Sequence, residues 1–508
     1  MGRSMDRRKF LKISALGVFG VSAGLAGKLA YAAEGRQAKK PNLVYVFPDE
    51  MRGSAMGFLG EEPVITPNLD RFAQASLVLP EAVSNYPVCV PYRTIMMTGK
   101  YPFGNGVLVN CFCDGRDLPK GQKWWTDVLD EKGYSIGYYG KWHITKPMRE
   151  YKGHKLKGQE GKWLPPDRRH GIDYWRIHTT NNHLKNRYVS YDRPCVGGVK
   201  VREVWTPEFE TDCAIDFIRN EAGKYRKEDQ PFALVLSYNP PHSPYQVVPQ
   251  KYVEMYDQDV EQYCGGVASV PGADERWGKY YRRNIRQYYG AITGIDEQFG
   301  RILDCLKEQG IEDDTIVVFT SDHGNCLGRH GHVSKNVPED DSMRVPFIVR
   351  WPGKVKAEHD DLLISTGDIY PTLMELMGTA DGCPDDLEGQ SWAKIFTGGE
   401  QERPSSQLYM HVKEPEGDER YGRRGVRTHR YTLNIEKMPG NAVEVLLYDR
   451  KSDPYQVRNI AGERYDVVER LIEKELRPWQ AKIRDSFVLP DLGFLKEGQV
   501  RGPVVEKA

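Results

Sequence analysis

This 508-residue sequence has no excess of one charge, few cysteines, no repeats and no long apolar run. Neither charge dominates, since 71 basic residues face 71 acidic ones, and this excludes a polycation that binds nucleic acid. Cysteine is scarce, with nine in the chain, and Cys111 and Cys113 have no second pair at the spacing of a zinc site. Repeats and low-complexity tracts are absent, and no apolar run reaches the ~20 residues that span a bilayer. We therefore expect no nucleic-acid partner and no stable membrane span.

The first 32 residues have the composition of a targeting segment. They hold six basic residues and one acidic residue, which leaves 65 basic and 70 acidic residues in the rest of the chain. Arg7 and Arg8 precede an apolar run at 13–27 and a small-x-small site at 30–32, the arrangement of a signal peptide. The arginine pair resembles the twin-arginine signal, which carries folded proteins. We expect residues 1–32 to be a signal peptide for the twin-arginine export machinery, with the protein in the periplasm or secreted.

From residue 41 to about 400, short apolar runs alternate with helical patterns, which is typical of an α/β fold. Strands are predicted at 42–47, 134–139, 232–238, 315–320 and 346–350, and a long helix at 285–306. After about residue 400 the pattern predicts short strands at 407–412, 424–428, 431–436 and 445–448, and a charged helix at 463–485. We expect a large mixed β-sheet sandwiched by helices (33–400, catalytic) and a smaller C-terminal antiparallel sheet with one helix (401–508).

Four of the predicted strands end in polar residues of the kinds that bind metals and anions. These residues are Asp49 and Glu50 after the first strand, Lys141 and His143 after the second, His242 after the third, and Asp322 and His323 after the fourth. In open α/β sheets, ligands bind beyond the carboxyl ends of the strands. Polar residues after a single strand would be typical of an ordinary loop. Their presence after four strands predicts that they form one shared site.

A fifth element is the sequence Cys89-Val90-Pro91-Tyr92-Arg93. Proline two positions after the cysteine, followed by a helix-like run, predicts that Cys89 lies at or near a helix N-terminus, where amide dipoles favour an anion. Taken alone, the pattern also fits a buried cysteine that precedes a helix. Most of the other cysteines are interpreted as small buried apolar residues.

Together, these motifs resemble those of the type I, formylglycine-dependent sulfatases of the alkaline phosphatase superfamily. The resemblance covers about residues 41–460. The matching segments are 89–93 with 98–102, 140–143, 241–242, 321–324, 344–346, 371–373 and 447–449 with 453–454. Their order along most of the chain makes the resemblance specific.

The resemblance implies a metal site and a modified nucleophile. A formylglycine-generating maturation enzyme would oxidise Cys89 to 3-oxoalanine (formylglycine). One divalent cation, expected to be calcium, would be held by Asp49, Glu50, Asp322, His323 and an oxygen of the modified Cys89. Glu50 stands where an aspartate is frequent, and the imidazole of His323 leaves manganese, magnesium or zinc open.

The resemblance also implies a catalytic or binding role for each of the other site residues. Arg93 would orient the formylglycine, and Lys141 and Lys335 would grip sulfate oxygens. His143 and His242 would handle protons at the nucleophile and at the leaving group, as suits a side chain whose pKa lies near neutrality. The expected activity is the hydrolysis of a sulfate monoester.

Two other functions stay open at this point. One is a phosphonate or phosphate ester hydrolase of the same superfamily, although a two-metal phosphatase would need about twice the ligands found here. The other is a non-catalytic binder of sulfated glycans, which would require a disabled site, and none of the expected catalytic positions is missing.

The substrate is predicted from a basic segment. Between residues 141 and 187, twelve basic residues face four acidic ones. Such a run can be a solvated loop, but basic groups also bind sulfates and carboxylates, and aromatic rings stack on sugars. We therefore expect a multiply charged, sulfated carbohydrate substrate, with Arg168, Arg169 and Arg176 among the residues that bind it.

Overall fold

The computed structural model describes residues 40–110, 118–145, 150–151, 154–155, 164–178, 187–188, 199–200 and 204–505. The predicted signal peptide and much of the basic segment 141–187 lie outside these residues. Among the helices described, none combines the length and hydropathy that crossing a membrane requires.

The strands of these residues form one large sheet, one smaller sheet and two short ladders. In chain order they are β1 Asn42–Val46, β2 Leu77–Val78, β3 Ser135–Lys141, β4 Glu150–Tyr151, β5 His154–Lys155, β6 Tyr174–His178, β7 Arg187–Tyr188, β8 Val199–Lys200, β9 Phe232–Ser237, β10 Thr315–Thr320, β11 Phe347–Arg350, β12 Glu358–His359, β13 Gln407–Lys413, β14 Asp418–Arg427, β15 Tyr431–Lys437, β16 Ala442–Asp449 and β17 Arg501–Val504. The ladders are β4 with β5 and β7 with β8.

Helices surround the sheets. They are α1 Pro67–Gln74, α2 Cys89–Thr98, α3 Pro102–Asn105, α4 Trp125–Glu131, α5 Thr206–Arg219, α6 Gln250–Val253, α7 Arg276–Glu308, α8 Asp340–Met343, α9 Ile369–Leu376, α10 Ala393–Phe396, α11 Tyr465–Leu471 and α12 Arg477–Ile483, with a π-helical turn at Ile472–Leu476 between the last two. The charged helix predicted at 463–485 therefore contains a π turn.

The large sheet has eight strands in the order β12-β2-β11-β10-β1-β9-β3-β6. The five strands from β10 to β6 run parallel, and β11 is antiparallel to β10. All residues of β1 are buried, because alternate side chains enter different cores: Leu43 and Tyr45 face one, Val44 and Val46 the other. An apolar strand buried on both faces is typical of the centre of a parallel sheet.

The smaller sheet is antiparallel, in the order β13-β14-β15-β16-β17. Its inner face packs on α11 and α12 in a third core, which also takes in Val88 and Ile95 from the α2 region. The predicted fold class, a large mixed sheet with helices plus a smaller antiparallel sheet, is confirmed. The strands β2, β6 and β12 were not predicted, because strands of two residues carry no periodic signal and the alternation in β6 is short.

Candidate active site

The order of the large sheet brings the four polar strand ends together. Because β10, β1, β9 and β3 are neighbours and parallel, their carboxyl ends meet at one edge. The pairing continues past the strands: the amide of Asp49 donates to the carbonyl of Tyr238 at 3.0 Å, and Asp49 bridges to Pro241, the residue before His242. The amide of Glu50 donates to Asp322 Oδ1 at 3.1 Å.

Cys89 is the first residue of α2, and every residue of this helix is buried. Its Sγ lies 3.1 Å from Lys335 Nζ, 3.4 Å from His323 Nε2, 3.6 Å from Lys141 Nζ and 3.7 Å from Asp49 Oδ1. Burial and Asp49 oppose ionisation, but the neighbouring cations outweigh them and hold the pKa of the Cys89 thiol well below its usual value.

Arg93 lies one helical turn after Cys89, and its side chain extends to the ends of the strands. Its Nη2 donates to Asp322 Oδ2 at 2.9 Å and to Asp49 Oδ2 at 3.1 Å. Its Nη1 donates to Ser237 Oγ at 2.7 Å and to the carbonyl of Lys141 at 2.9 Å. This buried guanidinium thus ties α2 to the ends of β1, β3, β9 and β10. Although burial disfavours the charge, Asp322 and Asp49 raise the pKa of Arg93, so it stays protonated.

Lys141 reaches the site because the chain bends at Gly140. This glycine has φ +103°, and a Cβ there would lie 2.1 Å from the carbonyl oxygen of Ser237, so no other residue fits. The ammonium of Lys141 donates to Asp49 Oδ2. Burial lowers the pKa of Lys141, but Asp49 and Cys89 raise it further, so the lysine stays charged. His143, with φ +51°, is hydrogen-bonded to Cys89.

Four side chains offer a metal site: Asp49, Cys89, Asp322 and His323 place their ligand atoms within 4.8 Å of one another. His323 Nδ1 lies 2.9 Å from the carbonyl oxygen of Gly324. Since a carbonyl only accepts, Nδ1 carries a hydrogen, which leaves Nε2 as the ring atom that would face a cation. Burial and the charge of Asp49 raise the pKa of Asp322 to about 6. A bound cation would compensate this repulsion, so the donor set fits a divalent metal.

Glu50, whose part in the metal site stays a prediction, lies next to this set. It lies in a second group with Asp49 and His242, and its carboxylate already accepts from three protein donors: Ser334 Oγ at 2.9 Å, Lys335 Nζ at 2.7 Å and Asn325 Nδ2 at 2.6 Å. His242 Nε2 is 3.4 Å from Glu50 Oε1. The four-atom group around Cys89 therefore does not include Glu50.

Lys335 was predicted to lie in the site only through the family resemblance. Its Nζ is closer to Cys89 Sγ than His323 Nε2, Lys141 Nζ and Asp49 Oδ1 are. Burial disfavours its charge, but Cys89 and Glu50 raise the pKa of Lys335 well above its usual value. The pKa of His242 shifts in the other direction: burial lowers it, and the charge of Glu50 offsets this effect only in part.

The arginines predicted to bind the substrate are not grouped with these residues. Arg169 is 3 % exposed, donates from Nε to the carbonyl of Leu164 at 2.8 Å and lies over the ring of Trp175. Arg176 pairs with Tyr139 across β6 and β3, and its charge acts on Cys213 of α5, on one face of the sheet. Arg168 ends a short 3₁₀ turn. Arg169 is thus packed against Leu164 and Trp175, and its part in substrate binding stays a prediction.

Sequence reasoning missed several residues that support the site. Ser237 and Asn325 contact Arg93 and Glu50, and both adjoin predicted motifs, so their positions could have indicated a role. Tyr288 could not have been found this way. Its hydroxyl donates to the carbonyl of Glu50 at 2.8 Å and accepts from the amide of Arg52 at 3.0 Å, but it lies in the middle of α7.

The fold and this site define a hydrolase of the alkaline phosphatase-like superfamily, and the comparisons with known proteins agree. Residues 41–379 match the family named Sulfatase, and residues 328–482 match the family named N-sulphoglucosamine sulphohydrolase, C-terminal. The chain therefore belongs to the sulfatase family and is a sulfuric ester hydrolase.

Similar proteins cover nearly the whole chain. An endo-4-O-sulfatase of Bacteroides thetaiotaomicron is 34 % identical, over 88 % of this chain and 95 % of the relative. An ulvan-active sulfatase of Formosa agariphila is 30 % identical, over 91 % of this chain and 85 % of the relative. A crystal structure of a candidate sulfatase from Bacteroides fragilis superposes with a TM-score of 0.80 at 38 % identity, over 89 % of this chain and 98 % of that chain.

Proposed function

We propose that this protein hydrolyses sulfate monoesters of a carbohydrate, with a formylglycine made from Cys89 as nucleophile and one divalent cation. The observation that carries the proposal is the surroundings of Cys89. The residue begins a buried helix, and two lysines, a histidine and a carboxylate lie within 3.7 Å of its sulfur. A helix N-terminus and fixed cations stabilise negative charge that develops on a sulfuryl group.

Each side chain of the site has a task in this reaction. Lys141 and Lys335 bind sulfate oxygens as point charges. Arg93 holds Asp49 and Asp322 in place. His143, which contacts Cys89, takes a proton at the nucleophile, and His242 gives one to the departing alkoxide.

Two groups are supplied to this site by maturation and by solution. The hydrate of formylglycine provides two hydroxyls, one to attack sulfur and one whose deprotonation releases sulfate. The cation, which Asp49, Asp322 and His323 would hold, supplies Lewis acidity. Calcium remains the expected ion, although a nitrogen ligand is less usual for calcium than oxygen ligands are.

A sulfated carbohydrate is the substrate class that the relatives support. One acts on ulvan, and the other is named for endo-4-O-sulfatase activity. The domain division at about residue 400 and export by the twin-arginine route belong to the same proposal. Replacing Arg7 and Arg8 together by lysine should trap uncleaved, active protein inside the cell; unchanged secretion would point to the general secretory route.

Conversion of Cys89 is tested by peptide mass spectrometry of active protein from its native host. We expect a residue that has lost sulfur and gained oxygen. Cys89→Ala should fold with unchanged thermal stability but lack activity, and Cys305→Ala, at a buried cysteine of α7, serves as the matched control that keeps activity. Fully active enzyme in which Cys89 is wholly unmodified would refute the proposal that formylglycine is the nucleophile.

Paired assays separate the rival functions. Initial rates are measured on sulfate, phosphate and phosphonate esters of the same 4-nitrophenol. We expect the sulfate ester to give the highest kcat/KM. A higher value on the phosphonate would support the other hydrolase, and binding of sulfated glycan without any turnover would support a non-catalytic binder.

A further inference from the structure

A cavity of about 500 Å³ opens beside Lys335, between the loop after β10 and the second sheet. Its wall includes Lys335, Asn336, His411, Lys413, Glu414 and Arg423. Lys335 belongs to both places, because its Nζ also lies 3.1 Å from Cys89 Sγ. A molecule whose sulfate is bound at Lys335 can therefore extend into this cavity without leaving the protein surface.

The charge of the lining is positive. Lys335, Lys413 and Arg423 are its cations and Glu414 is its carboxylate. Glu414 Oε1 accepts from the amide of Asn110 at 2.8 Å, which holds this negative charge against the backbone. Among the residues that the structure describes, Lys413 forms an ion pair with Glu416 at 3.1 Å, and the Glu416 side chain is 55 % exposed. Such a surface ion pair contributes little, so an anionic ligand can replace it.

The lining also holds polar atoms that no described residue satisfies. His411 is 7 % exposed and its Nδ1 has no hydrogen-bond partner among the described residues; the same is true of Asn336 Oδ1. Burial and the two neighbouring arginines lower the pKa of His411 to about 3, so its ring is uncharged and offers one donor and one acceptor. Buried polar atoms without partners are rare in native proteins and often mark a site for a ligand or water.

We propose that this cavity binds the sugar next to the sulfated one, and that Lys413 and Arg423 recognise an acidic group on that sugar. Arg423 is already fixed by Glu436 and by the carbonyl of Asn336 at 2.7 Å, so Lys413 is the adjustable cation of the pair. The neighbouring sugar is thus of the uronic acid type, with its carboxylate toward Lys413. This inference rests on the proposed function.

The test uses a panel of sulfated tetrasaccharides. Half contain uronic acid, prepared from chondroitin sulfate and ulvan, and half do not, prepared from carrageenans; 4-nitrophenyl sulfate is the small reference. We expect the highest kcat/KM on a uronic acid substrate. Methyl esterification of its carboxylates should lower kcat/KM about tenfold, because a charge-assisted hydrogen bond becomes a neutral one.

Lys413→Gln should remove this difference, so that the charged and esterified forms react at equal kcat/KM. Lys307→Gln, at an exposed lysine near the end of α7 on the opposite edge of the sheet, should keep the tenfold ratio. A carrageenan preference, no effect of esterification, or an unchanged ratio in Lys413→Gln would each overturn the inference. Hydrolysis of none of the esters, including the aryl sulfate, would instead refute the proposed function.

Discussion

Arg93 illustrates how one side chain can organise a whole catalytic edge. It forms hydrogen bonds with groups at the ends of four adjacent strands, and its guanidinium is completely buried. A buried cation of this kind is tolerated because its charge is shared by Asp49 and Asp322. Cys89, the proposed nucleophile, lies on the same helix, so Arg93 links it to the strand ends.

Replacing Lys335 by methionine tests the nearest cation to Cys89. Loss of one fixed positive group that faces developing charge should lower kcat on 4-nitrophenyl sulfate by about 100- to 1000-fold. Ser334→Ala is the control, because it removes the neighbouring contact with Glu50 but no charge, and its kcat should fall less than about tenfold. Mass spectrometry of both variants verifies that Cys89 is modified. A Lys335→Met enzyme with more than a tenth of the wild-type kcat would exclude this role.

Among the elements, α2 has an unusual position between two cores. Met96 and Met97 pack in the core of the large sheet, and Ile95 packs in the core of the small sheet. The helix that carries Cys89 is therefore fixed by both sheets. Helix α7 supports the same site from outside, since Tyr288 binds the backbone on both sides of the turn at Glu50, which has φ +70°.

Tyr288→Phe should weaken this turn. It leaves a buried carbonyl and a buried amide without their partner, which costs about 1–3 kcal/mol of stability, and it should reduce metal affinity measured by titration calorimetry. Tyr289→Phe is matched to it: the next residue on α7 is equally buried, but its hydroxyl donates to Glu62 and not to the turn. Equal metal affinities in the two variants would contradict a positioning role for Tyr288.

At the scale of the whole molecule, buried ion pairs join the small sheet to the rest. Arg427 of β14 donates to both oxygens of Asp340, at 2.8 and 2.9 Å, and contacts Glu81 at 2.7 Å. Arg427→Met should lower the free energy of unfolding by about 3–5 kcal/mol, because the two carboxylates lose a buried partner. Arg430→Met, at an exposed pair with Asp449, should cost less than about 1 kcal/mol. Urea unfolding measures both, and equal losses would mean that burial does not matter here.

Acid should also act on the whole molecule through a buried carboxylate. Although burial opposes ionisation, Arg329 and Arg52 lower the pKa of Glu62 to about 2. A depressed folded-state pKa gives stability that is present above the unfolded value of about 4.3 and is lost as the pH falls toward 2. The stability difference between wild type and Glu62→Gln should therefore shrink by about 2 kcal/mol from pH 5 to pH 3. A difference that stays constant in urea titrations over this range would show that Glu62 does not titrate there.

The fold class and the polar residues at the strand ends could be predicted from the amino-acid sequence. The central strands β1, β9 and β10 and the helix α7 carry long apolar patterns, and the polar residues after each strand are local signals. Parallel neighbours must end at the same edge, so the meeting of Asp49, Lys141 and Asp322 followed from the strand pattern alone.

Which polar side chains contact one another, and which are buried elsewhere, became visible in the folded structure and could not be predicted. The placement of Glu50 with Ser334 and Asn325 and the support from Tyr288 depend on residues far apart in the chain. The burial of Arg169 against Trp175 depends on how the segment 164–178 packs. A count of charges in a segment cannot distinguish a cation stacked inside from one that faces solvent. The cavity between Lys335 and Lys413 is lined by the loop after β10 and by the small sheet, and such packing is set by the shapes of assembled cores rather than by a local pattern.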